Sequence, residues 1–580
     1  MKQLKTRWTE QIDREHVLEE YPRPLLRRES YVNLNGVWEY VIAIEDGMPQ
    51  DYDGEILVPF SPEASLSGVN RQLKPAEYLW YRRMLPSQVK PEEGKRWILN
   101  FGAVDQYAVV YVNGKILKKH LGGYLPFSVD VTDALEEEAN ELVVMVRDYS
   151  DASYYSRGKQ RLNRGGMFYT AQSGIWQTVW MELVPDQHIE DIVTMPLYDK
   201  KILRIKVNSR FRENISVMVY SEDMQPIQAE GITGRCVDIP LPYMHSWSPE
   251  DPYLYSIEVR MGEDCVQSYA AMRKISVEKD GRGIPRMYLN NQPYFQKGVL
   301  DQGYWPDGLY TPPCDEAMVY DIRTMKDLGF NMLRKHLKIE PQRWYYHCDR
   351  LGMLVWQDMV NGGRPYKAWH VTYMATAMEF LHIKMKDSHL RLLGRKEERG
   401  RRQFVHEMRR TMHHLYNHPS IVTWVIFNEG WGQFHADVVT RIAREIDDSR
   451  LIDQASGWFD QGGGDIRSIH DYFFPLKIRP ERRVTALTEF GGYSLSVPGH
   501  RMYKKVYGYR IYVKKKELTH GYQEWIEREV IPNIVKGLSA TVYTQLSDVE
   551  EEVNGILTYD REIMKMDETV VRELNGKMVL

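Results

Sequence analysis

Two glutamates in this chain stand where a carboxyl group can do chemistry. Glu429 closes the apolar run Ile421 to Phe427, with Asn428 beside it and Gly430-Trp431-Gly432 turning the chain at once. Glu489 closes Ala486-Leu487-Thr488 and is followed by Phe490-Gly491-Gly492. Each is a carboxylate at the end of an apolar strand, beside a small-residue turn and an aromatic neighbour. Two carboxylates about 5 to 5.5 Å apart are what retaining glycoside hydrolysis needs, one attacking the anomeric carbon and one protonating the leaving oxygen. Like charges that close also push their pKa values apart, leaving one group ionised and the other protonated near neutrality. Two unrelated rim carboxylates held in salt bridges would show the same spacing, so the pair alone leaves both readings open.

The elements that must position them begin after Asp280-Gly281-Arg282-Gly283, where strand-like apolar runs alternate with helical stretches such as DEAMVYDIRTMKDLG and HADVVTRIAREIDD. The strand candidates are YFQKGVLD, NMLRKH, GMLVWQD, IVTWVIFNE, LIDQASG, IRSIHDY, VTALTEF and SATVYTQL. Eight such runs fit a (β/α)8 barrel, with Glu429 and Glu489 on the fourth and seventh strands, on opposite sides of the mouth. Side chains at the C-terminal strand ends point into such a mouth: Asp301, Arg334 with His336, Asp358, Asn428 with Glu429, His470 with Tyr472, Glu489 and Gln545. Insertions at 361–402 and 494–520 follow strand ends and should overhang it. Their charge runs, Arg395 to Arg402 and Lys514-Lys515-Lys516, read as solvated surface.

Upstream the texture is all β. From Asn33 to Val184 short alternating runs are divided by turn signals, and Asn113-Gly114 supplies the two positive φ angles of a tight hairpin. A second β-rich stretch runs from Pro185 to Val277. The expected architecture is therefore multidomain β plus α/β: a jelly-roll-like sandwich over 1–184, an immunoglobulin-like sandwich over 185–277 and a TIM barrel over 278–580.

Composition narrows the partners. In 580 residues, 76 Lys and Arg stand against 80 Asp and Glu, so no polyanion-seeking excess exists and nucleic acid is not expected. The 38 Tyr and 15 Trp suit stacking on pyranose rings as well as packing in β cores. Cys236, Cys265, Cys314 and Cys348 show no paired spacing, so neither zinc nor a disulfide framework is expected. His406-Glu407 lacks the second histidine of a zinc-protease helix, and His413, His414 and His418 read as a helix face and turn. No metal and no cofactor are expected. No apolar leader or membrane-length run is present, which gives a cytoplasmic expectation with no membrane partner. A homo-oligomer is left open.

The segment NHPSIVTWVIFNEGWG, with TEFGG at Thr488 to Gly492, resembles the acid/base and nucleophile regions of glycoside hydrolase family 2, the family of β-galactosidases, β-glucuronidases and β-mannosidases. LNGVW, FGAVDQYAVVYVNG, SGIWQTVWME and NMLRKH extend the likeness over nearly the whole chain. The resemblance implies that Glu429 is the acid/base, Glu489 the nucleophile and Asn428 the partner of the sugar 2-hydroxyl. It implies that Arg334 buttresses Glu489 and that Asp358 accepts sugar hydroxyls. His336 departs from the pattern, because the family places its histidine three residues after the arginine, where Leu337 stands here. Asp301, Trp431, Trp458, His470 and Tyr472 are further rim candidates for substrate contact, each equally readable as wall packing.

Family glucuronidases hold the sugar carboxylate with an Asn-x-Lys pair; the corresponding residues here are Glu552-Val553-Asn554. An acidic Glu552 would repel a uronate. Asn575-Gly576-Lys577 matches the pair but reads as a helix end, and VYTQLSD lacks the tryptophan platform of family galactosidases. The expectation is a retaining exo-β-glycosidase acting on neutral glycosides by double displacement, most like a β-galactosidase. The alternatives are a β-glucuronidase or another glycosidase of the family, and a carbohydrate-binding protein on a dead barrel. If a uronate were the substrate, Lys159 in the first sandwich or the lysines of the 494–520 insertion would have to supply the cation.

Overall fold

The computed structural model describes residues 4–580 except 223, 368, 376, 377, 379–384, 473 and 480. Its first sandwich packs a six-stranded sheet, with Tyr78–Met84 and Glu141–Arg147 at its centre, on a four-stranded one that includes Lys95–Phe101 and Val179–Pro185. Trp38, Tyr81, Trp97, Leu99, Val110 and Val144 meet between the sheets. The hairpin at Asn113-Gly114 forms as expected, both residues at positive φ (49° and 74°) between the paired Val112 and Lys115. The second sandwich sets three strands against four around Ile205, Val217, Ile257 and Val259.

The barrel strands are β1 (Gln296–Asp301), β2 (Met332–Lys335), β3 (Leu354–Asp358), β4 (Ile421–Asn428), β5 (Leu451–Ser456), β6 (Ile466–Asp471), β7 (Val484–Gly491) and β8 (Leu538–Thr544). All eight strand runs read from the sequence are present. The sheet is parallel in the order β5-β4-β3-β2-β1-β8-β7-β6, closed except for a ladder between β5 and β6. Alternation sorts its side chains. Leu300, Met332, Leu354, Trp356, Ala486 and Val542 fill the interior, which a hairpin of Ile275–Lys279 and Pro285–Leu289 packs through Ile275 and Met287. Val299, Leu333, Val355 and Leu487 face the surrounding helices.

Both insertions leave from strand ends at the mouth, the first carrying a helical turn at Trp369–Met374 and the second pairing Ser494–Leu495 with Ile511–Tyr512. Part of the first insertion lies outside the described residues. Arg395 corrects the surface reading of its charge run. It is 2 % exposed, stacks over Phe404 and Phe434, and donates to the Gly432 carbonyl at 2.7 Å, holding the turn after Glu429. Arg399 and Arg402 are exposed as expected. Asn575 and Lys577 sit in the last helix, Glu568–Lys577, with Asn575 bonded to Tyr522 and the Leu328 carbonyl. All four cysteines are unpaired. Among the described residues no helix is long and apolar enough to cross a membrane.

Candidate active site

The inward-facing ends of β2, β3, β4, β6 and β7 bring charged side chains to one point. Arg334, fully buried at the end of β2, is the hub. Its Nε and Nη2 grip both oxygens of Asp358 on β3 at 2.9 and 3.1 Å. Its Nη1 donates to Glu489 Oε1 at 3.2 Å, the Thr488 carbonyl at 3.1 Å and Ser456 Oγ at 2.9 Å, while Nη2 also reaches Asn428 Oδ1 at 2.9 Å. A planar guanidinium is suited to this fixed fan of acceptors. Burial opposes its charge, but Asp358 and Glu489 raise its pKa beyond the ordinary arginine value.

Glu489 is thereby held ionised. Burial alone would favour its neutral form; the charges of His470 and Arg334 and the hydroxyl of Tyr472 outweigh it and bring the pKa down to about 2. Arg334 is the permanent member of that set. Tyr472 donates to Glu489 Oε2 at 2.5 Å. His470 bridges the two glutamates: Nδ1 lies 3.1 Å from Glu429 Oε1, and Nε2 lies 2.9 Å from Ser456 Oγ and 3.7 Å from Glu489 Oε1. A register irregularity after Ile469 pairs His470 directly with Glu489 across the β6–β7 ladder. One oxygen of Glu429, one of Glu489 and one nitrogen of His470 all lie within 4.8 Å of one another. That spacing also suits a cation with nitrogen and oxygen ligands, but each of the three groups already has a hydrogen-bond or ion-pair partner within the site.

Glu429 itself occupies the left-handed region, φ 51°, which a side-chain-bearing residue adopts at a cost of about 1–3 kcal/mol. The turn is fixed from both sides: Glu429 N–H donates to the Ser456 carbonyl at 2.9 Å and Trp431 N–H to the Asn428 carbonyl at 2.9 Å. Gly430 has φ 71°, and a Cβ there would meet the Phe459 ring at 2.5 Å. The carboxyl group is thereby turned into the mouth. Asn428, its amide oxygen on Arg334, keeps a buried Nδ2 with no partner among the described residues, a donor free for a sugar hydroxyl.

Most of the remaining candidates fall in this mouth. His336 is buried with Nδ1 2.7 Å from Asp358 Oδ2; burial first, and the nearby Lys159 charge, pull its pKa down to about 4. Leu337, the residue at the family's histidine position, takes φ 52°, so the chain turns there and His336 faces the site in its place. Asp358 holds Arg334 and His336, so both its oxygens are engaged before any sugar hydroxyl arrives. Trp431 packs with Phe168 and Tyr366, and Trp458 stands edge-on to His470 and donates to the Val371 carbonyl at 3.0 Å, forming an aromatic wall beside Glu429.

Asp301 is the exception. Leu300 points inward, so Asp301 points to the helices, where Oδ2 meets Lys335 Nζ at 2.5 Å and Oδ1 accepts the Gly303 N–H at 2.8 Å. It is a structural ion pair and not a mouth residue. Gln545 binds Asn554. Ser456, which orients both Arg334 and His470, was not among the candidates; as the polar end of LIDQAS it obeys the same strand-end rule. A separate cavity of about 210 Å³, lined by Trp176, Trp180, Gln342, Arg343 and His414, contains none of these carboxylates.

The chain matches two family models, the sugar binding domain of glycosyl hydrolases family 2 over residues 68–185 and the TIM barrel domain of the same family over 286–478. Together they span more than half of it, and the chain belongs to glycoside hydrolase family 2. The matched barrel segment includes Glu429 and ends before Glu489. A putative β-glucuronidase of Formosa agariphila is 24 % identical over 60 % of this chain and 39 % of its own length. A β-galactosidase of Thermoanaerobacter pseudethanolicus is 24 % identical over 57 % of this chain and 46 % of its own. The chain thus spans less than half the length of these curated relatives. Among solved structures, the β-D-glucuronidase of Dictyoglomus thermophilum (17 % identity, TM-score 0.75, 96 % of this chain and 99 % of that one) and a β-galacturonidase of Eisenbergiella tayi (18 %, 0.71, 96 % and 100 %) share the fold.

Proposed function

We propose that this protein is a retaining β-glycosidase working by double displacement. The observation that carries the reading is the pair of carboxylates with oxygens within 4.8 Å of each other, one of which, Glu489, is fixed as an anion by Arg334 and Tyr472. An inverting enzyme keeps its carboxyl groups about 6.5–9.5 Å apart to admit a water. Glu489 attacks the anomeric carbon while Glu429 protonates the glycosidic oxygen. Glu429, now a base, then takes a proton from the water that cleaves the glycosyl ester on Glu489. The Asn428 amide donates to the 2-hydroxyl, a bond that strengthens as oxocarbenium charge develops.

The neutral, galactose-like sugar expected from the sequence rests on Glu552 as a free negative charge. Glu552 accepts hydrogen bonds from the Tyr169 hydroxyl and from Asn554 Nδ2 at 3.0 Å, so its charge has partners of its own and does not by itself select a neutral sugar.

A 2-deoxy-2-fluoro glycoside with a dinitrophenyl leaving group should label Glu489, and Glu489→Gln should lose about 10⁴-fold or more in kcat while circular dichroism shows the fold retained. A label on Glu429, or binding with no turnover of any glycoside, would sink the reading; the second result would favour the dead-barrel sugar binder.

A further inference from the structure

Four lysines are buried among the described residues: Lys159, Lys335, Lys338 and Lys565. Three are neutralised. Lys335 meets Asp301 and Glu340 at 2.5 and 2.8 Å; Lys338 meets Glu340 at 2.8 Å and two carbonyls; Lys565 meets Asp548 at 2.5 Å and two carbonyls. Lys159, 7 % exposed, has no carboxylate and no other hydrogen-bond acceptor in reach among the described residues. Its Nζ stands 5.7 Å from the ring centroids of both Tyr169 and Trp431. A largely buried lysine with no carboxylate beside its ammonium stands apart from the other three, each of which is paired.

The unpaired charge is carried by a loop of the first sandwich that is tied to the barrel mouth. Arg157 and Gly158 donate their N–H groups to the Asn361 carbonyl at 2.9 and 3.2 Å, just past β3, and Ser156 forms a bridge with Gly362. Gly158 (φ 61°) lies so close to the turn after β2 that a Cβ would stand 2.7 Å from the Leu337 carbonyl oxygen. Tyr169 N–H closes the loop on the Lys159 carbonyl at 3.0 Å. The backbone is therefore fixed before any ligand arrives, and it delivers the ammonium between His336 at the end of β2 and Trp431, two residues beyond Glu429. Lys159 thus stands at the barrel mouth, beside the turn that follows Glu429.

We propose that Lys159 is the anchor for an anionic group on the sugar itself, the carboxylate of a uronate or a sulfate ester, so that the substrate is an acidic β-glycoside. The proposal rests on the glycosidase reading above. It differs from recognition by an Asn-x-Lys pair after β8, because the corresponding position here is Glu552, bonded to Tyr169 and Asn554. The same Tyr169 ring stands beside Lys159, so the sandwich loop places a cation at the barrel mouth while its tyrosine hydroxyl occupies Glu552. A carboxylate and a sulfate both meet an ammonium through oxygens carrying full negative charge, and a neutral hydroxyl would leave that charge uncompensated.

The test uses the full chain, Lys159→Met and Lys159→Arg with nitrophenyl β-glucuronide, β-galacturonide, a monosulfated β-galactoside, β-galactoside and β-glucoside. One anionic class should exceed the neutral glycosides in kcat/KM by about 10²-fold or more, and which class it is separates carboxylate from sulfate. Lys159→Met should collapse that ratio to near unity, Lys159→Arg should keep most of it, and the pH optimum should stay in place in both. Preference for a neutral glycoside, or a Met variant that loses all substrates equally and shifts its pH profile, would overturn the proposal, since Lys159 would then act on the carboxylates and not on the sugar. Failure of the glycosidase reading looks different: neither a charged nor a neutral fluoroglycoside would label Glu489. Thermal unfolding of each variant excludes misfolding, and the Arg variant keeps the proposal exposed if the Met variant does not fold.

Discussion

Strands β1 to β3 carry two buried ionic networks, one residue apart in sequence and on opposite faces of the same sheet. On the helix side Asp301, Lys335, Lys338 and Glu340 neutralise one another; on the inner side the single guanidinium of Arg334 pairs with both Asp358 and Glu489, and Asn428, Ser456 and His470 bond around them. Both exclude water. They differ in what is left over. In the outer network every ammonium meets carboxylate or carbonyl oxygens, whereas the inner one leaves the Asn428 Nδ2 without a partner and turns Glu429 into the mouth on a strained backbone. In the inner network buried charge stands beside an unfilled donor; in the outer network it does not.

The largest effect that would test this contrast is structural. Lys335→Met takes from Asp301 its only contacting cation among the described residues and leaves Glu340 with Lys338 alone, which costs about 3–5 kcal/mol by the usual penalty for a broken buried pair. Urea unfolding followed by tryptophan fluorescence should show that loss, while kcat of the folded enzyme should stay within about threefold. A Lys335→Met enzyme that unfolds normally but has lost turnover would place the outer network in the chemistry and dissolve the distinction.

Glu429→Ala sharpens the inner side, with an effect of about 10²- to 10³-fold on alkyl glycosides, where the leaving group needs its proton. A dinitrophenyl glycoside departs without one, so its glycosylation rate should fall much less. Azide should accelerate the variant and give a β-glycosyl azide. Equal losses on both leaving groups, without rescue, would remove Glu429 from the acid/base role.

How much of this was legible follows from the physics of each residue. Apolar runs of strand length between helical repeats gave the eight strands, and the strand-end rule with the NEGWG and TEFGG motifs picked out Glu429 and Glu489. The same rule misplaced Asp301, because strand ends carry side chains on both faces and only counting inward from Leu300 tells which. Arg395 read as solvent-facing because it opens a run of charges, yet two phenylalanine faces and a carbonyl ligand let a single guanidinium be buried there. Ser456 passed unnoticed because a small hydroxyl before glycine looks like a turn. In the sequence Lys159 stands only as one of the cations that a uronate would require; its place beside Trp431 depends on a sandwich loop meeting the barrel, a long-range contact that no short pattern encodes.

The smallest effect is the most diagnostic of how the inner network works. Tyr472 donates at 2.5 Å to Glu489 Oε2, one of the bonds that hold this carboxyl at about 2 against an ordinary value of 4.5. Because the folded pKa is depressed, the stability that Glu489 contributes is complete above about pH 4.5 and is lost as pH falls from there toward 2. Across the neutral range Glu489 stays ionised. Tyr472→Phe removes a hydrogen bond to a charged group, about 1.5–3 kcal/mol, which corresponds to about one to two pH units. The acid limb of kcat/KM, measured on a dinitrophenyl glycoside, should therefore move upward by roughly that amount. The pH window over which the stability contributed by Glu489 is lost should narrow, its lower edge rising with the folded pKa. Near neutrality the Tyr472→Phe substitution should cost only about tenfold, because Arg334 still pairs with Glu489 Oε1. An acid limb that did not move would make Tyr472 a wall residue whose short contact tunes nothing, and Arg334 with His470 would then have to account for the depressed pKa between them.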